Sequence, residues 1–224
     1  KKCIFGMTSD KFLGYLVSHR GTETNPDKVK AIQGMSSPRS IRDVQRLTGR
    51  LAALNRFSSQ SAARALPFFK VLKKADMFSW PAACQRVFEQ MKEYLHQLPT
   101  LTSPRVGETL YLYVSAGEKA VSAVLIWDDS FQVPIYYVSR ALRGLKTYKP
   151  GPKSSCVGLV HAAQRLKLYF LAHPIRIRTD QPIRQIFPDP KPQGASPSRQ
   201  LSLGSMISHM SRGLLSKPRP LPTS

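Results

Sequence analysis

This 224-residue chain has 13 acidic side chains against 34 lysines and arginines, a net charge of +21. Clustered carboxylates acting on a phosphodiester would hydrolyse it with divalent metal, clamping the attacking and leaving oxygens between two ions ~3.5–4 Å apart. Magnesium takes hard oxygen ligands, so several carboxylates would have to converge. The candidates lie in the second half. Glu118 sits in the turn of a hairpin, "LYLYVSAGEKAVSAVL", Leu110 to Leu125. Asp128 and Asp129 follow its second strand, and Asp180 ends "IRIRTD". Glu118, Asp128 and Asp129 read as solvated turn residues. Asp180 also suits the N-cap of a short helix starting at Gln181. His161 and His173 fall on and near the end of a helix, with no partner that suggests catalysis. Cys3, Cys84 and Cys156 are odd in number and far apart. They imply neither a zinc site nor a disulfide framework, which fits a reducing compartment.

The basic residues offer the other chemistry. So large a surplus favours a polyanionic partner, and nucleic acid is the first candidate, because neutralising phosphates rewards Lys and Arg directly. No apolar run approaches the ~20 residues of a membrane helix, so no membrane partner is expected.

The elements that would position these residues fall into two groups. Residues 2–24 read as short strands with a turn at "HRGT". Asn25 then caps a helix with Pro26 at its first position. Ser40 caps a longer one, "IRDVQRLTGRLAALNRF", in which Ile41, Val44, Leu47, Leu51 and Leu54 form one apolar stripe. Arg42, Arg46, Arg50 and Arg56 mostly lie off that stripe. "SAARALPFFKVLKK" reads as a helix interrupted at Pro67, and "FSWPAACQRVFEQMKEYLHQL" as one capped by Ser79. The stretch "TLTSPRVGET" reads as a linker and domain boundary. Beyond it come three strands ("TLYLYVS", "AVSAVLIW", "VPIYYVSR"), a helix "SSCVGLVHAAQRLKLYFLA", a strand "IRIRTD" and a short helix "QPIRQIF". That order is α/β. The chain opens on "KKCIFG" without Met and reads as a piece of a longer polypeptide. From 191 onward it has no acidic residue, no period and many Ser and Pro, a composition expected to be disordered.

The segments "KCIFG", "KFLGYLVSHRGTETNPDKVKAI", "VQRLTGRLAALNRF", "LPFFKVLKK" and "FSWPAACQRVFEQMK" resemble, in order and spacing, the Pol polyprotein of plant gypsy-type LTR retrotransposons. "LYLYVSAGEKAVSAVL", "VPIYYVSRAL", "AAQRLKLYF" and "IRIRTDQPIRQI" resemble its RNase H domain. The resemblance covers about residues 1–190. It implies an α+β or α/β chain: a palm-end hairpin over 1–24 with "FLGY" as its primer-grip-like strands, a helical thumb and connection over 25–100, a mixed-sheet RNase H-like domain over 106–190 truncated at its C-terminus, and a tail over 191–224. The polymerase carboxylates of the family would precede Lys1. The implied partners are duplex DNA or an RNA/DNA hybrid, and the rest of a Pol polyprotein. Arg42, Arg46, Arg50, Arg56, Lys70, Lys73 and Lys74 fall on the thumb-like helices that contact phosphates in polymerases.

The same resemblance implies where the nuclease acids should stand. The family's "TDAS" reads "VSAG" here, which puts Ser115 in place of the first aspartate. Its "Y-x-x-x-E-K" falls on "YKPGPKSS", which puts Pro152 in place of the glutamate and should delay the helix start. Asp180 survives as the one catalytic and metal-ligating candidate, and a fourth acid near the C-terminus is absent. One carboxylate in four cannot hold two magnesium ions. Loss of cleavage is therefore expected, with magnesium implied only if the site is active. Some plant lineages carry "VS"-type domains beside a second, intact RNase H, and there the domain acts as a connection.

The tail reads as frameshifted near Lys191 to Gly194. A codon choice for "LSLGSMISHMSRGLLSKPRPLPTS" also encodes, in the neighbouring frame, "ELGEYDISYEPRPAIKAQALADF", the continuation the family implies. Met206 and Met210, with one codon each, constrain that fit. The genomic nucleotides over residues 201–224 are expected to encode the second peptide. Sequencing that finds codons unable to do so refutes the shift.

Overall fold

The computed structural model describes residues 9–12, 14–18, 20–73, 78–128, 131–142 and 152–179. A first sheet has three antiparallel strands in sequence order, β1 (Ser9–Phe12), β2 (Tyr15–Ser18) and β3 (Gly21–Thr24). Gly14 turns β1 into β2 with φ +78°, in the left-handed region that glycine enters without steric cost.

Helices follow. Asn25 accepts the Asp27 N–H at 2.9 Å and starts α1 (Pro26–Gln33). Ser40 accepts the Asp43 N–H at 3.2 Å and starts α2 (Ile41–Ala52). Both expected caps are present. α2 is shorter than its apolar stripe, because the chain passes into turns after Ala52, yet Leu54 and Phe57 remain buried. α3 (Ser61–Arg64) and α4 (Leu66–Lys73) break at Ala65 rather than at Pro67. Pro67 lies in the first turn of α4, where its missing N–H costs nothing. α5 (Ala82–Tyr94) begins after Pro81, and Ser79 makes no side-chain cap there. A 3-10 turn, Leu95–Gln97, ends the helical group. Its core is Ile32, Val44, Leu47, Phe68, Phe88 and their neighbours.

The second sheet is mixed, in the order β6-β5-β4-β7. β4 (Leu110–Ala116), β5 (Ala120–Asp128) and β6 (Gln132–Ala141) form an antiparallel meander. β7 (Ile175–Arg178) lies parallel to β4. α6 (Pro152–Arg165) and α7 (Lys167–Ala172) connect them and cover one face, burying Leu110, Leu112, Val114, Leu159 and Ala162. The expected single helix breaks at Leu166. α6 starts at Pro152 itself, so the "PGP" run does not delay it to Ser154. Gly158 lets α6 sit on the sheet: a Cβ there would lie 3.1 Å from Val114.

The segment read as a linker is anchored at its start. Leu101 is buried, and it exchanges backbone hydrogen bonds with Thr22 at 2.7 and 2.9 Å. The Thr102 N–H donates to Pro134 O at 3.0 Å. One residue pair therefore ties the first sheet to the approach of the second. Gly21 permits it: its φ is +131°, and a Cβ there would fall 2.1 Å from Leu101 O. Gly21→Ala is expected to lower unfolding stability by more than about 2 kcal/mol, through a disfavoured φ and a backbone clash. Urea denaturation measures it; a loss below about 0.5 kcal/mol would show that this bridge is not needed.

Candidate nucleic-acid interface

Two arrangements bear on chemistry. The first is the face of the second sheet opposite α6. Ser115 is exposed on β4 and pairs across the ladder with Ser122, which pairs with Ser139. The Ser122 and Ser139 hydroxyls lie 3.1 Å apart. Ser139 Oγ also lies 3.3 Å from Val121 O and accepts the Ala62 N–H at 3.2 Å. A row of neutral hydroxyls thus crosses three strands beginning at Ser115, the position where the resemblance expects the first carboxylate.

On the same face Arg178 of β7 reaches across β4. Its guanidinium lies 4.2 Å from the Tyr111 ring centroid and donates to the Tyr113 hydroxyl at 2.8 Å. It meets Asp128 Oδ2 at 3.6 Å, with both side chains at most one-fifth exposed. Gln132 Nε2 donates to the same hydroxyl at 3.1 Å. Asp128 was expected to be a solvated turn residue. It ends β5 instead, and it balances the buried cation. Nothing in the local sequence foretold this pair, because its partners are brought together only when β7 docks on β4.

Of the expected metal position, Ser115 and the backbone at Pro152 are described, and neither fits. A serine hydroxyl is neutral, and proline carries no ligand atom. Asp180 and Asp129 lie outside the described residues. Among the described residues no three His, Cys, Asp or Glu side chains could hold a metal ion.

The second arrangement is basic. Arg39, Arg46 and Arg50 line a cavity of about 370 Å³ between the end of α1 and α2. Asp43, its acidic lining residue, accepts from Ser40 Oγ at 2.8 Å and the Arg39 N–H at 3.2 Å, and it meets Arg46 at 3.4 Å. The Ser40 hydroxyl, then the Arg39 N–H, hold the Asp43 carboxyl below the usual carboxylate range. Arg42, Lys70 and Lys73 are exposed. Arg50 is half-buried and donates to the Ala31 carbonyl. Lys74 lies outside the described residues. Arg39 went unnoticed in the sequence, for it precedes the helix whose period drew attention. Arg56 lies apart from this row, half-buried among aromatic rings.

Residues 80–177 match the profile of the RNase H-like domain found in reverse transcriptase. The chain is similar to the retrovirus-related Pol polyprotein from transposon opus of Drosophila melanogaster, 26% identical over 197 residues, which cover 82% of this chain and 20% of that protein. It is similar also to the transposon Tf2-3 polyprotein of Schizosaccharomyces pombe, 23% identical over 184 residues, 80% of this chain and 14% of that one. The chain thus spans about a fifth or less of these relatives. Among solved structures it resembles the foamy viral protease-reverse transcriptase in complex with RNA/DNA hybrid. The TM-score is 0.72 at 18% identity, covering 96% of this chain and 30% of that one. A second foamy viral structure, in complex with double-stranded DNA, gives a TM-score of 0.71 at 18% identity. The mixed α/β architecture with its mixed second sheet is therefore a fold shared with these foamy viral structures.

Arg178→Met should cost roughly 1–3 kcal/mol, because it leaves the Asp128 carboxylate without its cation, while Gln132 still serves the Tyr113 hydroxyl. Adding Asp128→Asn should recover part of that loss. Urea denaturation of both variants is the check, and no recovery in the double variant would mean that the pair is not coupled.

Proposed function

We propose that this chain is a fragment of a plant gypsy-type retrotransposon Pol polyprotein that binds duplex DNA or RNA/DNA hybrid without sequence preference and has lost RNase H cleavage. The observation that carries the binding is the cavity lined by Arg39, Arg46 and Arg50, flanked by exposed Arg42. Guanidinium groups pair with phosphate oxygens bidentately, and such contacts hold a duplex without reading its bases. The foamy viral neighbours, in complex with double-stranded DNA and with RNA/DNA hybrid, support the same ligand class. Lys70 and Lys73 extend the positive surface along α4. Arg56 is proposed for architecture rather than contact, since its guanidinium is packed among rings.

The loss of cleavage rests on Ser115. A hydroxyl in a row of hydroxyls offers no charge to offset a divalent ion, and the helix that should bring the second acid opens on Pro152. Lost carboxylates and a shifted tail also favour a reading in which the chain is a pseudogene product; its binding would then be a residue of descent.

The test is filter binding of an RNA/DNA hybrid between about 50 and 200 mM salt. Affinity should fall linearly in log–log form. Arg42→Gln and Arg46→Gln should each lower the slope by about 1. A flat salt response sinks the binding reading. In the same buffer with Mg²⁺ the unmodified chain should leave the hybrid intact; Mg²⁺-dependent cleavage by it would overturn the proposed loss.

A further inference from the structure

A cleft of about 440 Å³ opens where the helical group meets the second sheet, between α2, α3 and α4 on one side and the end of β6 with α6 on the other. Its contents are unlike those of the basic groove. Ser61, the first residue of α3, lines it and is only 8% exposed. The Ser61 hydroxyl is buried without a hydrogen-bond partner among the described residues. A buried hydroxyl left unpaired has lost its water without a replacement, so a ligand that pairs with it is favoured. Ser139 in the same wall is different, since its hydroxyl already engages Ser122 and Ala62.

The other lining residues narrow the chemistry. None is acidic, and Arg140 supplies a guanidinium from an exposed position at the strand end. Burial first, then the charges of Arg140 and Arg165, push the His161 imidazole down, so positive potential extends from Arg140 onto α6. Apart from Thr48 and Asn55 the remaining walls are apolar, with the half-buried Phe69 ring lining the cleft from α4 and Val157 from α6. Apolar walls with a few placed polar groups, at a volume in the range of about 300–1,000 Å³, are the ordinary form of a small-ligand site.

We propose that this cleft takes a single nucleotide unit. Its planar base would lie against Phe69 and Val157, a ring heteroatom would pair with the Ser61 hydroxyl, and its phosphate would meet Arg140. The unit is a free nucleoside monophosphate or the phosphorylated end of a strand; the two present the same groups. The site is separate from the α2 groove, so it stands or falls apart from the binding of duplexes.

The experiment titrates the full chain with adenosine 5′-monophosphate, and in a second arm with a short 5′-phosphorylated single strand, following amide shifts by NMR. Saturable shifts at Ala62, Ala65 and Arg140 are expected below about 10 mM, the weak end of specific binding. Arg140→Gln and Ser61→Ala should each weaken binding several-fold, while Arg105→Gln, on an exposed loop, should not. Ser61→Ala should leave the melting temperature of the free chain unchanged or raised, since it deletes an unpaired hydroxyl; this separates a lost ligand contact from lost folding. Tighter binding of the strand than of the mononucleotide identifies a strand end as the ligand, and equal or weaker binding identifies the free nucleotide. Absence of saturable shifts in both arms, or shifts insensitive to Ser61 and Arg140, overturns the site. Salt-dependent binding of hybrid that survives Ser61→Ala would leave the α2 groove intact even then.

Discussion

The guanidinium of Arg56 is the joint of this structure. It lies 4.9 Å from the ring centroids of Tyr15 and Tyr136 and 5.5 Å from that of Phe57. Those rings belong to the first sheet, the second sheet and the turns after α2. The backbone carbonyl of Arg56 accepts the Tyr137 N–H at 3.0 Å, so the same residue also satisfies the outer edge of β6. A cation over an aromatic face gains about 0.5–2 kcal/mol, more where water is excluded. Arginine suits the place better than lysine, because its plane can contact several rings at once. The cost is visible: Arg56 Nε is buried with no acceptor among the described residues. Arg56 thus joins contacts that the hairpin, the helices and the mixed sheet also make through the Leu101 bridge, the Tyr15–Phe57 ring pair, the Lys11–Asp27 ion pair and the Ala62–Ser139 hydrogen bond of α3.

A second consequence concerns charge. The composition invites the view that every excess cation faces a polyanion. Many are instead used within the fold. Arg64 lies 4.0 Å from the Tyr94 ring, Lys28 4.9 Å from Tyr15 and Lys92 4.6 Å from Phe88. Lys92 also donates to Met35 O at 2.6 Å. Arg178 is held by Tyr111, Tyr113 and Asp128. The field that a phosphate would meet near α2 comes from a smaller set, chiefly Arg39, Arg42 and Arg46.

What could be read in advance follows a physical line. Asn25 and Ser40 announce helix starts through hydrogen bonds two or three residues long, and both are found. The stripe of Val44, Leu47, Leu51 and Leu54 follows from helical period, and all four are buried. Strands β4, β5 and β6 follow from alternation and lie within a residue or so of expectation. Features that depend on distant partners were hidden. Leu101 stands in a stretch whose Thr, Ser, Pro and Gly spell a linker, yet it is buried because Thr22 reaches it. Arg178 and Asp128 are fifty positions apart and meet only across the finished sheet. Arg56 belongs by period to the row of α2 arginines, but the chain leaves the helix before reaching it. Ser115 could be read as a lost acid, whereas its place in a ladder of three serines required the register.

The short turn between Thr102 and Leu110 has a different kind of importance. Val106 is 92% exposed, and Gly107, with φ +84°, has no heavy atom within 4 Å of where a Cβ would sit. The turn is closed locally by Glu108, whose carboxylate accepts the Arg105 N–H at 2.9 Å. On either side the chain is fixed, by Thr102 to Pro134 and by Leu110 to Pro174. The noncovalent contacts between the two halves, those of Arg56 and of α3, all lie outside this turn. An exposed turn tip flanked by fixed chain on both sides is where a thread best tolerates being lengthened or re-routed, and in this protein that place is Val106–Gly107.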